Sequence, residues 1–281
     1  MVAGFQGIDE AGNLTTLGRG GSDTTAVALA AAIKADLCEI VTDVDGVFTA
    51  DPNLCREARK LDEISYEEML EMASAGAKVM HYRSMLFASK YNVPVSVRSS
   101  FNNNPGTMIV PARKDMEKVV VRGITYEKDA ARIRFIGVPD TPGVAAKIFG
   151  PIGEAGINVD LIIQNSSTDG FTDLSFTLSR SNVAEALDIC QQTAGKLHAI
   201  ALEHDVRIAK VSVVGLGMRS HSGIATQMFK ALADANINIQ MVATSEIKVS
   251  CVIDEDSVKD AVQTLHHAFR LDQAPLDDDE G

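Results

Sequence analysis

Through its first 110 residues the chain alternates short apolar runs with segments of helical period. Val2-Ala3-Gly4-Phe5-Gln6-Gly7 reads as a strand at the very start, without a preceding cap, turn or partner. Leu14 to Gly21 reads as a Thr/Gly-rich loop. Ser22 or Asp23 then stands where a side-chain oxygen caps an Ala-rich helix from Thr24 to about Lys34. Cys38-Glu39-Ile40-Val41-Thr42 reads as a short buried strand that ends in the acidic turn Asp43-Val44-Asp45-Gly46-Val47. Ser65-Tyr66-Glu67-Glu68 is a capping box, and Met69, Met72 and Ala73 follow it at three- and four-residue spacing. A further helix runs from about Tyr82 to Tyr91 and stops at Asn92. Pro94-Val95-Ser96-Val97 is a strand, and Asn102 to Gly106 a loop. Strands alternating with helices predict α/β layers that close near Ala112.

Beyond Val119 the pattern changes, and an internal repeat appears. Ala131 to Gly137 matches Ala209 to Gly215, each a strand ending in glycine. Gly143, Phe149 and Ile157-Asn158-Val159 have the same offsets as Gly223, Phe229 and Ile237-Asn238-Ile239. Val144, Ile148 and Ile152 mark the helix in one copy, Ile224, Met228 and Leu232 in the other. Asp173 to Arg180 adds a strand and Val183 to Leu197 a helix to the first copy. The pattern predicts a βαββαβ ferredoxin-like unit given twice in series. The fold class expected is therefore α/β, with an α/β sandwich portion over 1–112 and ferredoxin-like units over 121–205 and 206–272. The acidic tail 273–281 is expected to fray.

Composition narrows the function classes. The 281 residues are too many for one small module, and 46% hydrophobic with 23% charged residues suffices for a proper core. The formal charge of −12 repels a phosphate backbone, which argues against nucleic acid as a partner. No apolar run reaches a membrane span and no signal-peptide pattern opens the chain, so the expected location is the cytoplasm, without membrane contact. Cys38, Cys55, Cys190 and Cys251 lack ligand spacing and read as reduced structural thiols, implying neither zinc nor disulfides.

Gly18-Arg19-Gly20-Gly21-Ser22-Asp23-Thr24-Thr25 puts glycines directly before a helix N-terminus, whose free amides attract anions. Arg19 adds a planar fork for a carboxylate or phosphate, and Asp23 a carboxylate for a lysine or metal. The same spacing also suits a tight turn with a capped helix. No GxxxxGK[ST] occurs, which excludes a P-loop. The turn from Thr42 through Asp43, Val44 and Asp45 to Phe48, Thr49, Ala50, Asp51 and Pro52 follows a strand, at the edge where open α/β sheets bind ligands. It reads as nucleotide contact or as a solvated acidic turn. Calcium is not supported, because Leu54 stands where an EF-hand loop needs glutamate. Lys78 reads as an exposed helix-end lysine unless the fold brings it near Asp43. No histidine has catalytic spacing, and His266-His267 is expected on a helix surface.

Four segments in this order resemble aspartokinase: Thr15 to Ala26, Thr42 to Val47, Gly76-Ala77-Lys78-Val79-Met80-His81, and Asn92-Val93-Pro94 with Val97 to Phe101. The repeat resembles the paired ACT domains of monofunctional aspartokinases, through Asp140-Thr141-Pro142-Gly143, Gly156-Ile157-Asn158, Ile163-Gln164-Asn165 and Thr244 to Ile247. The resemblance covers nearly the whole chain, to about Leu271. It implies the C-terminal portion of an amino-acid-kinase sandwich followed by two ACT domains. It also implies ATP with Mg2+ as substrate complex, L-aspartate as acceptor and 4-phospho-L-aspartate as product, on the route to lysine, threonine and methionine.

The resemblance further implies that Arg19, Gly20, Gly21 and Ser22 hold aspartate and that Asp23 is catalytic. Thr42, Asp43, Phe48, Thr49, Ala50, Asp51, Pro52, Asn53 and Lys78 would bind the nucleotide. Asp140, Gly143, Ala145, Gln164, Asn238 and Ile239 would bind the effector, threonine first and lysine alone or jointly as the alternative, with Asn238 and Ile239 contributed across a dimer or an assembly with a full-length subunit. Val41 stands where tyrosine is usual and Tyr82 where proline is usual. The family's opening Lys-Phe-Gly-Gly segment is not among these residues, so the chain alone is expected to be inactive. A second reading is a regulatory amino-acid-binding subunit without catalysis.

Overall fold

The computed structural model describes residues 1–165 and 170–273. The acidic tail from 274 lies outside the described residues. The chain divides into two compact units. The first comprises Met1–Tyr126, Val211–Cys251 and the residues from Ser257 on; the second comprises Glu127–Lys210 and Val252–Asp256.

The first unit opens with a hairpin of β1 (Gln6–Ile8) and β2 (Leu14–Thr16), antiparallel with Gly7 opposite Thr15. The opening strand is thus shorter than its apolar pattern and has a partner. That partner is drawn from the segment expected as loop, because the Asp9 carboxylate accepts the amides of Ala11 and Asn13 and closes a turn there. Helix α1 (Gly21–Ile33) begins before Thr24 and carries no side-chain cap, contrary to the role expected of Ser22 or Asp23. Its N-cap is Gly20 at φ 73°, a left-handed conformation natural to glycine. Ser22 and Asp23 lie instead in the first turn.

Strand β3 (Cys38–Thr42) runs parallel to β5 (Val95–Ser99). Cys38 is buried, but Glu39 and Val41 are exposed, the latter by 46%, so β3 is half-buried rather than the buried strand expected. β6 (Thr107–Val110) is antiparallel to β5 and parallel to β4 (Glu63–Ser65), giving the order β3-β5-β6-β4. Helices α2 (Tyr66–Ser74) and α3 (Tyr82–Tyr91) complete the layer. Their apolar faces, with Met69, Met72 and Met85, bury against Ile64, Val95, Val97 and Ile109. Buried side chains of this kind each contribute roughly 1.5–3 kcal/mol.

The expected capping box is present. Ser65 Oγ accepts the Glu68 amide at 3.1 Å, and a Glu68 carboxylate oxygen accepts the Ser65 amide at 3.2 Å. Glu68 is fully buried, and its other oxygen accepts from Arg122 Nε at 3.2 Å and from the Leu216 amide at 3.1 Å.

The repeat within this unit is built from the end of β10 (Ala201–Val214), α6 (Ile224–Asp234), β11 (Met241–Thr244), the first four residues of β12 (Lys248–Asp254) and α7 (Val258–Ala268). Its last strand does not follow α7. It comes from Gly123–Tyr126, the start of β7 (Gly123–Pro139), so that this sheet runs β11-β12-β10-β7. The Arg122 amide donates to the Val214 carbonyl at 2.7 Å where the two strands begin to pair. The two copies are therefore not simply in series: the second is completed by residues ahead of the first.

The second unit holds the rest of β7, α4 (Val144–Glu154), β8 (Val159–Gln164), β9 (Phe171–Leu178), α5 (Val183–Leu197) and the start of β10. β9 pairs antiparallel with β7, Phe135 opposite Leu174, and with β8, Ile163 opposite Ser175. Phe135, Ile148, Ile152, Phe176 and Cys190 are fully buried or nearly so, and Phe149 meets Phe176 edge-on at 5.3 Å. The Asp173 carboxylate is held below the usual range by the Gly137 amide and by Arg134.

All four cysteines are free and buried, and burial pushes the Cys190 and Cys251 thiols up to about 12. Among the described residues no helix is long and apolar enough to cross a membrane.

One expectation is reversed. His267 is exposed, but His266 is only 1% exposed, because α7 packs that face into the first unit beside Val262 and Leu265. Desolvation lowers its pKa below the ordinary value, with Arg59 and His267 acting in the same direction and Asp272 and Glu57 opposing.

Two predictions concern stability. Glu68→Ala removes one partner of a buried ion pair and strands the Arg122 guanidinium and the Leu216 amide, so urea unfolding should give a loss of about 3–5 kcal/mol. For His266 the folded pKa lies below the unfolded one, so its contribution is complete above about pH 6.5, the unfolded value, and declines as pH falls toward the folded value. Thermal unfolding between pH 7.5 and 5.5 should show Tm falling with pH, and His266→Gln should flatten that slope.

Candidate functional site

A cavity of about 400 Å³ opens in the first unit at the C-terminal end of β3. Thr42, Asp43, Phe48, Ala50, Asp51, Pro52 and Asn53 line one side and Lys78 with Gly76, Ala77 and Val79 another. Eight of the nine residues singled out for nucleotide contact thus share one cavity. Thr49 is the ninth, and it is buried behind the wall. Lys78 lies in the connection between α2 and α3 rather than at a helix end, since α2 stops at Ser74.

The turn that forms the wall is pinned from both sides. Val47 donates its amide to Thr107 Oγ1 at 2.9 Å, and that hydroxyl donates to the Leu61 carbonyl at 2.6 Å. The Asp51 carboxylate accepts the Asn53 amide at 2.9 Å and the Tyr126 hydroxyl at 2.9 Å. The Thr49 carbonyl accepts the Ile124 amide at 2.7 Å. Ile124, Thr125 and Tyr126 also line the cavity, as does Met72. Nothing local in the sequence marked Ile124, Thr125 and Tyr126 for this site; only their place at the start of β7 brings them to the wall.

The Arg19 motif stands at the N-terminus of α1. A side-chain carbon on Gly20 would collide with the His81 ring, so this glycine lets the motif lie against the start of α3. His81 caps that helix, its Nδ1 accepting the Arg83 amide. Two of the four motifs, Gly18 to Thr25 and Gly76 to His81, therefore touch. The Ser100 amide donates to the Thr42 carbonyl at 2.7 Å, joining the other two. Arg98 forks onto Glu39 at 2.7 and 2.9 Å, bracing β5 on β3.

Arg19 and Lys78 are both exposed, and neither has an ion-pair or hydrogen-bond partner among the described residues. Asp23 is half-buried and accepts from Ser22 Oγ at 3.3 Å. Burial, and secondarily the Asp23 charge, push the Cys38 thiol up, which sets Asp23 near the start of β3. The arrangement offers an anion a guanidinium and the first-turn amides of Ser22 and Asp23, the Gly21 amide being taken by the Gly18 carbonyl at 3.0 Å, and offers a second ligand the cavity with the Lys78 ammonium in its lining.

The residues singled out for an effector fall in both units. In the second, Gly143 is the left-handed N-cap of α4 at φ 92°, Ala145 lies in the first turn, the exposed Asp140 donates its amide to the Gly170 carbonyl at 2.9 Å, and Gln164 ends β8 opposite Leu174. In the first, Asn238 is exposed and Ile239 half-buried in the connection between α6 and β11.

Residues 1–99 match the amino acid kinase family, and residues 131–193 and 211–269 each match an ACT domain. An aspartokinase from Pseudomonas aeruginosa is 56% identical over 274 residues, 97% of this chain, which spans 66% of that relative's length. Among solved structures, E. coli aspartokinase III in complex with aspartate and ADP is 30% identical and superposes with a TM-score of 0.79, over 94% of this chain and 59% of that one. The same enzyme in complex with lysine and aspartate is 29% identical with a TM-score of 0.71, over 95% and 59%. The Helicobacter pylori aspartokinase is 51% identical over 97% of this chain and 68% of its own length; with the matched domains in the order that the four motifs and the repeat imply, the chain belongs to the aspartokinase family.

Proposed function

We propose that the chain serves aspartate kinase chemistry, the transfer of the γ-phosphoryl group of ATP to the side-chain carboxylate of L-aspartate, giving 4-phospho-L-aspartate and ADP. The observation that carries this reading is one cavity bounded by Thr42, Asp43, Ala50 to Asn53 and Lys78, with the glycine-led helix N-terminus bearing Arg19 packed against His81, three residues beyond Lys78. Its support is the E. coli relative that holds aspartate and ADP.

Phosphoryl transfer needs little covalent help from a protein; it needs the two anions brought together and their charge offset. Arg19 takes the aspartate α-carboxylate as a planar fork, with Gly20, Gly21 and Ser22 supplying close backbone approach. Asp23 organises the transferring group. Lys78 meets the nucleotide at the cavity rim, and Phe48 to Asn53 form its wall. Magnesium enters with the nucleotide, as part of the substrate complex.

Titration calorimetry of the 281-residue chain with ATP·Mg and with aspartate tests the assignment. Lys78→Ala should weaken ATP·Mg binding about tenfold, the usual worth of a charge-assisted contact, and leave aspartate unchanged. Arg19→Ala should do the reverse. In an assembly that turns over, Asp23→Ala should lower kcat with little change in either KM. Binding of neither substrate to the wild-type chain, alongside binding of threonine or lysine, would favour the regulatory-subunit reading instead.

The effector reading is that Asp140, Gly143, Ala145 and Gln164 take an amino acid, its carboxylate at the α4 N-terminus and its ammonium on Asp140, closed by Asn238 and Ile239 of a neighbouring chain. Threonine is the first candidate because its short hydroxyl suits Gln164; lysine is the alternative, as in the E. coli relative. Saturating effector should raise Tm through linkage, and Asp140→Ala should abolish the rise. An unchanged rise in that variant rejects the site.

A further inference from the structure

α7 presents two polar side chains, three residues apart and so on one helix face, to the turn that walls the nucleotide cavity. Gln263 Nε2 donates to the Leu54 carbonyl at 2.7 Å. His266 Nε2 lies 2.9 Å from Thr49 Oγ1. The Thr49 hydroxyl already accepts the Arg59 amide at 2.9 Å, and the Thr49 amide returns the bond to the Arg59 carbonyl at 2.9 Å. The hydrogen and second lone pair of that hydroxyl are left for the imidazole, so Nε2 accepts the hydrogen when the ring is protonated on Nδ1 alone and donates its own when Nε2 carries the proton. Thr49 immediately precedes Ala50, Asp51, Pro52 and Asn53, which line the cavity.

We propose that His266 is a positioning residue for the nucleotide: by holding Thr49 it fixes the 49–59 loop, and through this bond the ACT repeat that contains α7 sets ATP affinity. The proposal rests on reading the cavity as the nucleotide site. Two observations set His266 apart from an ordinary core residue. It is a buried titratable side chain that the phosphoryl-transfer chemistry does not use. Its partner hydroxyl also ties together the two arms of the loop, Thr49 and Arg59, so the bond acts where the loop closes on itself. Once the imidazole is removed, the buried hydroxyl keeps only its bond from the Arg59 amide.

The test uses the 281-residue chain and two readouts. In wild-type protein without nucleotide, hydrogen exchange of the 49–59 amides should be slow, and His266→Ala should speed it about tenfold while β3 and β5 stay protected. ATP·Mg affinity should fall by about the same factor with aspartate affinity unchanged. His266→Gln, whose amide oxygen can reach the hydroxyl, should recover most of both effects. Cys251→Ala, an equally buried change in the same unit, should alter neither. Wild-type exchange over 49–59 in folded His266→Ala, or equal loosening in Cys251→Ala, overturns the proposal. Should His266→Ala not fold, Thr49→Ser and Thr49→Val replace it, and equal exchange in those two is the overturning result. If the wild-type chain binds no ATP·Mg, the nucleotide reading of the cavity fails, and the exchange arm still decides whether His266 holds the loop.

Discussion

The first unit depends on one buried carboxylate. Taking Glu68 out of water costs several kcal/mol unless its oxygens are fully engaged. Here they accept from the Ser65 amide and hydroxyl, from Arg122 and from the Leu216 amide. These donors come from the start of α2, from the stretch leading into β7 and from the end of β10, which are far apart in the chain. Satisfying one charge therefore fixes three backbone segments at once, and it is the sandwich and the ACT repeat that those segments belong to. Lys248, paired with Glu71 at 2.7 Å one turn further along α2, reinforces the same junction. Val214 shares the sandwich core with Ile64, Met69 and Val97, so apolar packing continues where the polar bonds stop.

That junction explains why the cavity and the regulatory repeat belong to one body. The wall of the cavity is not self-supporting: between Val47 and Leu61 it is a run of turns with a lone bridge from Phe48 to Lys60. Its shape comes from Thr107 on one side and from Ile124, Tyr126, Gln263 and His266 on the other. Four of these five belong to the repeat. A nucleotide bound against this wall would feel the state of α7 and β7 without any long-range path, because the contacts are direct. The chain's negative charge sharpens the point. With 38 acidic against 26 basic residues, an unpaired cation such as Arg19 or Lys78 stands out as a place where an anion could be held.

Elements whose causes are local were legible in the sequence. The Ser65/Glu68 capping box, the α3 stop at Asn92 and the α5 span from Val183 to Leu197 follow from spacing, capping chemistry and turn residues, all within one or two turns of chain. For the Thr42 to Asn53 turn the local pattern left ligand contact and a solvated acidic turn open, and it was the family resemblance that singled out its residues, which line the cavity except for Thr49. The motifs and the repeat identified the family because order and spacing survive without knowledge of contacts. What stayed hidden was whatever depends on distant partners. The β2 strand needs β1 as its partner across the turn, and Gly20 rather than Ser22 is the N-cap of α1 where the His81 ring leaves room only for a glycine. His266 looked like half of a polar pair on a helix surface; only the packing of α7 turned one imidazole inward and left the other outside. The last strand of the second repeat was hidden most completely, because it precedes the first repeat in the chain. Periodicity and chemistry act between neighbours in sequence and so could be read there. Strand order, burial of a charge and the closing of a cavity act between neighbours in space, and the tertiary structure alone decided those.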